Sequence, residues 1–371
     1  MTPQSRPRVL FLSRGRVQLP LSESLAPKWA ALEEVFELRA LNAGSGGGDD
    51  RFVVLPEASA AFYASLPFVT AREIRRFRPD ALVASDPYVG AGALAGRWLA
   101  RRAVRVIVEL HGDPKTFTRL YGSPRRRALA GLSDVVARVA LGRADATRAV
   151  SSFTAKLVEA RRGVPPTATF LAYSDLSAFA DSPPAPVPET RTIVFVGALE
   201  PYKNVAGLAS AWRLVAAELP DARLVVVGRG SLQATVEALV RELPQNVVHE
   251  PQLDPPAIAR LLDGSRALVL PSYPEGLGRV LLEAFARGRS VVATDGGGIP
   301  DVVTHERDGL LVPPYDDTAL AQALVRVLRD LSLAQRLGAA ARETYAQWHQ
   351  TPADFAAAYR ELVERTLAGA R

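Results

Sequence analysis

The chain is 371 residues long, carries a formal net charge of +6 at pH 7, and is 48% hydrophobic and 23% charged. This composition excludes an intrinsically disordered chain, and the length predicts two domains that each bury a core. The chain has no cysteine, which excludes disulfides, thiolate metal sites and cysteine nucleophiles. Its four histidines are widely separated, which excludes a metal motif of the HExxH type.

Membrane-spanning and secreted classes are disfavoured as well. No apolar run approaches the roughly 20 residues that span a bilayer. The apolar block at residues 9–12 is too short for a signal peptide, so we expect a cytoplasmic protein. The charge is uneven, because residues 1–186 contain 26 Lys and Arg against 17 Asp and Glu, whereas residues 187–371 contain 19 against 22. The basic half is suited to meet an anionic surface or substrate.

Short apolar runs alternate with longer helical segments in both halves of the chain. The runs are residues 9–12, 81–84, 104–109, 192–196, 223–227, 267–270 and 290–293. Near-continuous apolar strands separated by helices are typical of parallel sheets that are covered on both faces. The predicted fold class is therefore α/β, with two doubly wound, Rossmann-like domains facing a central cleft.

Two glycine-rich stretches need an interpretation. Residues 44–48 precede two aspartates and lack the GK[ST] of a phosphate loop, which favours a flexible loop. Residues 296–298 follow a predicted strand and predict a tight strand-to-helix turn near the cleft. No GxGxxG opens either domain, and this disfavours a dinucleotide-dependent dehydrogenase.

His111 directly follows the predicted strand at 104–109. Doubly wound sheets bind ligands at the carboxyl ends of their strands. A neutral imidazole at this position can hydrogen-bond a bound ligand. A structural histidine is the alternative interpretation.

Residues 119–148 contain seven Arg against two Asp, and apolar residues recur there at helical spacing. One interpretation is a basic amphipathic surface that docks on anionic lipid, which would place the protein peripherally on the inner face of the membrane. The other is a helix packed on the sheet with a solvated basic rim. No platform of interleaved aromatic and basic residues is present, so no nucleic acid partner is predicted.

The domain boundaries follow from proline. Residues 181–188 contain four prolines, which cannot lie in a helix interior or a central strand. We therefore predict a first domain over 1–182, a Pro-rich linker over 183–190 and a second domain over 191–350. Residues 351–371 have a helical pattern.

The most informative stretch, PSYPEGLGRVLLEAFARG, occupies residues 271–288 after a predicted strand. It predicts a loop followed by a helix over 279–287, with Gly288 ending the helix. Free N–H groups at the start of that helix favour a diphosphate. Glu275 in the loop can reach toward the cleft, and Glu283 within the apolar helix needs donors such as sugar hydroxyls.

A second interpretation of this helix stays open at the level of spacing. Arg279, Glu283 and Arg287 are four residues apart and can form one solvated, ion-paired stripe. Lys203, just beyond the predicted strand at 192–196, can neutralise a phosphate as a mobile point charge, or it is an ordinary surface lysine.

Several segments resemble, in their order and spacing, the motifs of the retaining GT-B glycosyltransferases of family four. They are Glu275-x7-Glu283, the sequence VVATDGGGIPDVV at 291–303 and the sequence DGLLVPP at 308–314. The first half resembles that family through His111-Gly112 and the RADA sequence at 143–146. The resemblance implies a hexosyl-type transferase that uses a nucleotide-diphosphate sugar, without a metal or other cofactor, and retains the anomeric configuration. The acceptor would be a glycan, a lipid-linked molecule or a small molecule bound by the first domain.

The same resemblance implies roles for the residues of the motif. Glu275 would bind hydroxyls of the donor sugar, and Glu283 would grip the ribose. The residues bordering the donor phosphates and sugar would be Gly276, Leu277, Gly278, Arg279 and Val280. His111 resembles the histidine of the first domain in that family, and with Glu275 it is our candidate for catalysis.

Further donor contacts are implied near the ends of other strands. Gly15 resembles the glycine turn that faces the donor phosphates, with Arg14 and Arg16 as flanking candidates for anion contact. Lys203 matches a phosphate-binding lysine of the family. The turns implied beside the nucleotide contain Gly197, Gly228, Arg229 and Gly230.

Ala198 departs from the family pattern, because the family has a phosphate-binding arginine at this position. The loss of a bidentate donor costs about 1–3 kcal/mol of interaction, and Arg279 is a candidate to compensate. This departure supports an alternative, a non-catalytic sugar-nucleotide-binding protein or partner subunit. A GT-B-type sugar-nucleotide epimerase is a third interpretation. In relatives, a helix like that of residues 351–371 crosses back to the first domain.

Overall fold

The computed structural model describes residues 6–57, 59–115 and 130–369. The chain forms two compact units, one made of Met1–Tyr173 with Gln350–Arg371 and the other of Ser174–His349. Each unit is built around one sheet of parallel strands covered by helices. The predicted α/β class with two doubly wound domains is confirmed.

The sheet of the first unit has the order β3-β2-β1-β4-β5-β6-β7. Its strands are β1 (Arg8–Gln18), β2 (Glu37–Ser45), β3 (Phe52–Leu55), β4 (Ala81–Ala84), β5 (Arg105–Leu110), β6 (Ala146–Ala149) and β7 (Ala168–Thr169). The described helices before Tyr173 are α1 (Ala26–Val35), α2 (Ser59–Phe77), α3 (Pro87–Ala100), α4 (Ala130–Arg143) and α5 (Ser152–Arg162).

The central strands of this sheet are covered on both faces. In β1, Val9 and Phe11 belong to one hydrophobic cluster, whereas Leu10 and Leu12 belong to another on the opposite face. This alternation is the side-chain period of a strand, and it explains why the run is apolar throughout.

The sheet of the second unit has the order β10-β9-β8-β11-β12-β13. Its strands are β8 (Thr192–Val196), β9 (Arg223–Val227), β10 (Val247–Glu250), β11 (Ala267–Leu270), β12 (Ser290–Thr294) and β13 (Gly309–Val312). Its helices are α6 (Ser177–Ala180), α7 (Val205–Glu218), α8 (Gln233–Glu242), α9 (Pro255–Asp263), α10 (Arg279–Ala286), α11 (Ile299–Val302), α12 (Asp317–Arg329) and α13 (Leu331–Trp348). The strand order reverses between β8 and β11, and ligands of such sheets bind at the carboxyl ends of strands at this switch point.

The boundary between the units differs from the predicted one. It falls between Tyr173 and Ser174, and the predicted linker at 183–190 lies within the second unit. Arg287 and Arg289 donate hydrogen bonds of 2.8–3.1 Å to the backbone carbonyls of residues 182, 183, 185 and 186. Proline has no N–H, so this segment cannot pair as a strand, and buried guanidinium groups bind its carbonyls instead.

The last helix, α14 (Pro352–Ala368), belongs to the first unit. Phe355 and Tyr359 of α14 pack in the same cluster as Phe11 and Trp29. The described helices do not include one that is both long and apolar enough to cross a bilayer.

Candidate functional site

Two glycine turns meet at the carboxyl edge of the second sheet. A Cβ on Gly228 would lie 1.9 Å from the carbonyl oxygen of Gly197, and one on Gly230 would lie 2.5 Å from that of Leu199. The N–H of Leu199 donates to the carbonyl of Arg229 at 2.9 Å. Only residues without a side chain allow this approach, so the turns after β8 and β9 form one continuous backbone surface with the exposed Arg229 on it.

Lys203 ends the short 3₁₀ turn Pro201–Lys203 that follows β8. Its side chain lies under the first glycine turn, because its Cε is 3.6 Å from where a Cβ of Gly197 would be. Its Nζ is 2.5 Å from Oε2 of Glu275. Both side chains are largely buried. Lys203 is therefore not an ordinary surface lysine, and the structure pairs two residues that are distant in sequence.

The backbone of Glu275 is held by the triglycine turn at 296–298. The N–H of Gly298 donates to the carbonyl of Glu275 at 2.8 Å. Gly297 has a φ of +63°, and a Cβ there would lie 2.2 Å from the same carbonyl oxygen. The predicted strand-to-helix turn after β12 thus positions the loop after β11.

The helix α10 begins at this loop with an uncapped N-terminus. Its N-cap, Gly278, has a φ of +91° and provides no side-chain hydrogen bond. A Cβ on Gly278 would lie 2.9 Å from Cδ2 of Leu270. Gly276 and Leu277 are half-buried beside it, and Val280 in the first turn is buried. First-turn N–H groups without a side-chain acceptor are suited to bind an anion.

Glu283 lies on the second turn of α10 with only 3% of its side chain exposed. Its Oε1 is 2.8 Å from Nε of Arg279, whose side chain is 65% exposed. Burial raises the pKa of the Glu283 carboxyl, and Arg279 opposes this rise. The alternative of a solvated stripe is wrong, because Arg287 is buried and binds Asp263 at 2.5 Å. Arg279, engaged by Glu283, is not a free substitute for the arginine missing at Ala198.

The predicted donor residues of the second unit thus lie on elements that start at the carboxyl ends of neighbouring strands. The turns after β8 and β9 and the loop after β11 are joined by backbone hydrogen bonds, including that from Tyr273 N–H to the Tyr202 carbonyl at 2.9 Å. The result is one glycine surface, one Lys–Glu pair, one open helix N-terminus and one buried carboxylate on a single edge.

In the first unit, the exposed side chain of His111 contacts a buried polar cluster that the sequence did not reveal. Its Nε2 is 3.0 Å from Oε2 of Glu109. The other carboxylate oxygen of Glu109 accepts hydrogen bonds from Nη1 of Arg148, at 2.9 Å, and from the hydroxyl of Tyr359. Burial opposes the ionisation of Glu109, but Arg148, His111 and Tyr359 together hold the pKa of its carboxyl well below the usual value.

Gly15 and His111 line the same cavity of the first unit, which has a volume of about 230 Å³. Gly15 lies where the pairing of β1 with β2 shifts register, and its carbonyl accepts a hydrogen bond from Asn42 at 3.2 Å. The flanking arginines are engaged elsewhere, Arg14 with Ser59 at 2.5 Å and Arg16 with Glu57 at 3.3 Å.

The basic window at 119–148 is described only from residue 130 onward. Helix α4 buries Ala137, Ala140 and Leu141, and it exposes an apolar stripe of Leu132, Val135 and Val139. Arg148 lies in β6 and is buried, so it belongs to no surface. Within the described ranges, no group of three or more His, Asp or Glu side chains is placed to hold a metal ion.

Solved structures with this architecture identify the fold. The chain superimposes on sucrose-phosphate synthase from Thermosynechococcus elongatus with a TM-score of 0.76 at 20% identity, covering 99% of this chain and 100% of the other. For HepE from Anabaena, solved with UDP-glucose, the TM-score is 0.70 at 18% identity, with 98% and 100% covered. The fold is GT-B.

Sequence comparison gives the family. The model of "Glycosyl transferases group 1" matches residues 180–344, and that of "Glycosyl transferase 4-like domain" matches residues 16–173. The chain belongs to the GT-B glycosyltransferases of family four, the glycosyl transferases group 1.

Two curated relatives show how far this similarity extends. The D-inositol 3-phosphate glycosyltransferase of Jonesia denitrificans is 34% identical over 196 residues, which is 49% of this chain and 45% of that protein. A GDP-mannose-dependent phosphatidylinositol monomannoside mannosyltransferase of Corynebacterium glutamicum is 28% identical over 321 residues, or 80% and 78% of the two chains. The match thus spans less than half of the first relative's length.

Proposed function

We propose that this protein transfers a sugar from a nucleotide-diphosphate sugar to a hydroxyl of an acceptor, with retention of configuration and without a metal. The observation that carries the proposal is the contact between Lys203 and Glu275 beside the open N-terminus of α10. It puts a cation, an uncapped helix N-terminus and a carboxylate on one edge, which supports binding of a sugar diphosphate there. Family membership supports the reaction class.

In this proposal the residues act mainly by positioning and by charge. The N–H groups of α10 and the ammonium of Lys203 stabilise the charge that develops on the departing diphosphate. Glu275 orients the donor sugar through its hydroxyls, and Glu283 accepts hydrogen bonds from the ribose. The acceptor attacks on the face that the diphosphate leaves, and a phosphate oxygen takes the acceptor proton. No side chain is assigned as nucleophile.

Ala198 stands where the family has a phosphate-binding arginine, and this departure supports the alternative of a non-catalytic binding protein. The turn that contains Ala198 is hydrogen-bonded to the turn of Arg229, so an exposed guanidinium is available on the adjacent backbone segment. We propose Arg229 as the contact for the diphosphate in place of the missing arginine.

The test begins with thermal shifts of the full chain against UDP-, GDP- and ADP-sugars, followed by product analysis with candidate acceptors. Transfer predicts a glycosylated acceptor whose new bond keeps the anomeric configuration of the donor by NMR. Nucleotide release without any glycosylated product would favour a binding protein. Isomerised donor in the absence of acceptor would favour an epimerase. A chelator is expected to leave the rate unchanged.

We further propose that the first unit contacts an anionic membrane surface, which would suit a lipid-linked acceptor. Trp98 at the end of α3 is 77% exposed and lines a groove with Arg97, Arg101, Arg102 and Arg143. The neighbouring helix α4 exposes the apolar stripe described above. An exposed tryptophan beside several arginines matches the boundary of an anionic bilayer.

This surface is tested by co-sedimentation with vesicles of phosphatidylglycerol and phosphatidylcholine. We expect binding that increases with the phosphatidylglycerol fraction, that falls with added salt, and that is weakened by Trp98→Ser. Equal binding to pure phosphatidylcholine vesicles, or no effect of Trp98→Ser, would contradict the assignment.

A further inference from the structure

A lysine in the wall of the first unit's cavity has no ion-pair partner among the residues that the structure describes. The cavity wall includes the half-buried Lys28 of α1, the buried Glu109 of β5 and the buried Arg148 of β6. A fourth charged side chain in the lining, the exposed Arg16, is paired with Glu57 outside the cavity. Glu109 and Arg148 neutralise each other at 2.9 Å. Lys28 forms no hydrogen bond or ion pair with any residue that the structure describes. Its ammonium is instead 5.1 Å from the ring centre of Trp29 and 5.6 Å from that of Phe355.

An ammonium in such surroundings needs a counter-charge. Aromatic faces attract a cation, but they replace its lost hydration only in part. Burial lowers the pKa of Lys28, Glu109 raises it, and Arg148 lowers it. Because Arg148 already holds Glu109 from the other side, that carboxylate is not free to pair with Lys28.

The cavity lies where folds of this class bind their ligands. It opens at the carboxyl ends of β1, β4 and β5, where doubly wound sheets bind their ligands, and His111 lies in the same wall. Its volume of about 230 Å³ is smaller than the roughly 300–1,000 Å³ of most small-molecule sites. It therefore accommodates a compact polar group.

We propose that this cavity binds a carboxylate or phosphate group of the acceptor and that Lys28 selects for it. This inference rests on the proposed function, since it names the chemical class of the acceptor: a hydroxyl compound with a compact anionic substituent. A neutral sugar in the same place would leave the ammonium without a partner.

The first experiment measures anion binding by the full chain without any transfer reaction. The probes are inorganic phosphate and malonate, with glycerol as the neutral control, titrated by calorimetry at constant ionic strength. We expect saturable binding of an anion, no binding of glycerol, and at least tenfold weaker anion binding by Lys28→Met. Lys156→Met, which removes an exposed lysine of α5, is the matched control and is expected to bind like the parent chain.

The Lys28→Met variant also reports on its own folding. Replacing a partly buried, unpaired ammonium by an apolar side chain of similar shape is expected to raise the melting temperature in the absence of anions. A folded variant that binds phosphate and malonate as the parent chain does would overturn the proposal. So would failure of the parent chain to bind either probe.

A second experiment separates this inference from the proposed function. With donor and a panel of anionic acceptors and their neutral analogues, Lys28→Met is expected to raise the acceptor KM at least tenfold and to leave the donor KM unchanged. Anion binding without any transfer would defeat the proposed function and preserve the site. Transfer to neutral and anionic acceptors with equal kcat/KM would support the proposed function and overturn the anion site. Offering the anionic group in solution or on vesicles distinguishes a soluble acceptor from a lipid headgroup.

Discussion

Glu275 belongs to the sequence motif at 271–288, and it also makes contacts with segments that are distant in the chain. Its side chain contacts Lys203, and its backbone is held by the triglycine turn. Glu275→Gln keeps the shape but removes the charge that contacts Lys203 and that, in the proposed mechanism, orients the sugar. We expect a loss of kcat/KM of about 100-fold or more, similar to the removal of other electrostatic groups in active sites.

The measurement is steady-state transfer, with circular dichroism and the melting temperature as controls for folding. Ser210→Ala, an exposed position on α7, is a suitable unaffected comparison. A Glu275→Gln variant that turns over like the parent chain would remove the main support for the proposed mechanism.

Glu283 predicts a dependence of stability on pH. Because burial raises the pKa of its carboxyl, the folded chain binds this proton more tightly than the unfolded chain does. The associated stability is present below the ordinary pKa of 4.5 and is lost as the pH rises through the raised folded value. Glu283→Gln cannot ionise, so its melting temperature relative to the parent chain should increase between about pH 4 and pH 7.5.

This gain in stability should come with a loss of donor binding, seen as a higher donor KM. Glu159→Gln, an exposed position on α5, controls for the general effect of removing one carboxylate. A difference in melting temperature that stays constant across this pH range would show that the burial of Glu283 does not perturb its titration. A change confined to the acceptor KM would contradict the ribose assignment.

At the scale of elements, the triglycine turn is the part of the fold on which the loop of Glu275 depends. Gly297→Ala would place a Cβ 2.2 Å from the Glu275 carbonyl, in a backbone conformation that itself costs about 1–2 kcal/mol for a residue with a side chain. We expect lower stability and a loss of kcat of at least about tenfold, because the loop must move.

Gly142→Ala is the matched control, since a Cβ there meets nothing within 4 Å on helix α4. It should be neutral or slightly stabilising, because alanine favours helix more than glycine does. Equal effects of the two substitutions would show that the contact with Glu275 is unimportant.

The elements also show what a sequence can reveal and what it cannot. Four strands, β4, β8, β9 and β11, were predicted with the observed bounds, because each contains a run of four consecutive apolar residues. Strand β6 was missed because it contains Thr147 and Arg148, both buried. Its arginine is tolerated because it binds Glu109, Tyr359 and the backbone carbonyls of residues 170 and 171. Of these partners, Tyr359 lies 211 residues away in the chain.

The candidate site likewise has one part that the sequence predicts and another part that only the structure shows. The loop and helix at 271–288 were predicted because their signals are local: a preceding strand, two glycines in the loop and an apolar helical segment. The contact between Lys203 and Glu275 spans 72 residues and depends on how β8 and β11 pair. Glu109 was taken as part of a strand, and only the structure shows that it orients His111.

At the scale of the whole molecule, α14 links the C-terminal end of the chain to the core of the first unit. Phe355 is buried against Phe170 and Tyr359, and Tyr359 binds both Arg148 and the carboxylate that contacts His111. The last helix therefore supports the cavity wall of a domain whose strands all lie more than 180 residues earlier.

Because the contacts of Phe355 lie within the first unit, its removal should destabilise that unit selectively. Phe355→Ala leaves a cavity in the core and should cost about 3–5 kcal/mol. We expect faster amide hydrogen exchange in peptides from residues 6–173 and 350–369, with little change in 174–349. Trp212→Phe, in the core of the second unit, should give the opposite distribution. Equal acceleration in both units after either substitution would mean that they unfold as one cooperative body.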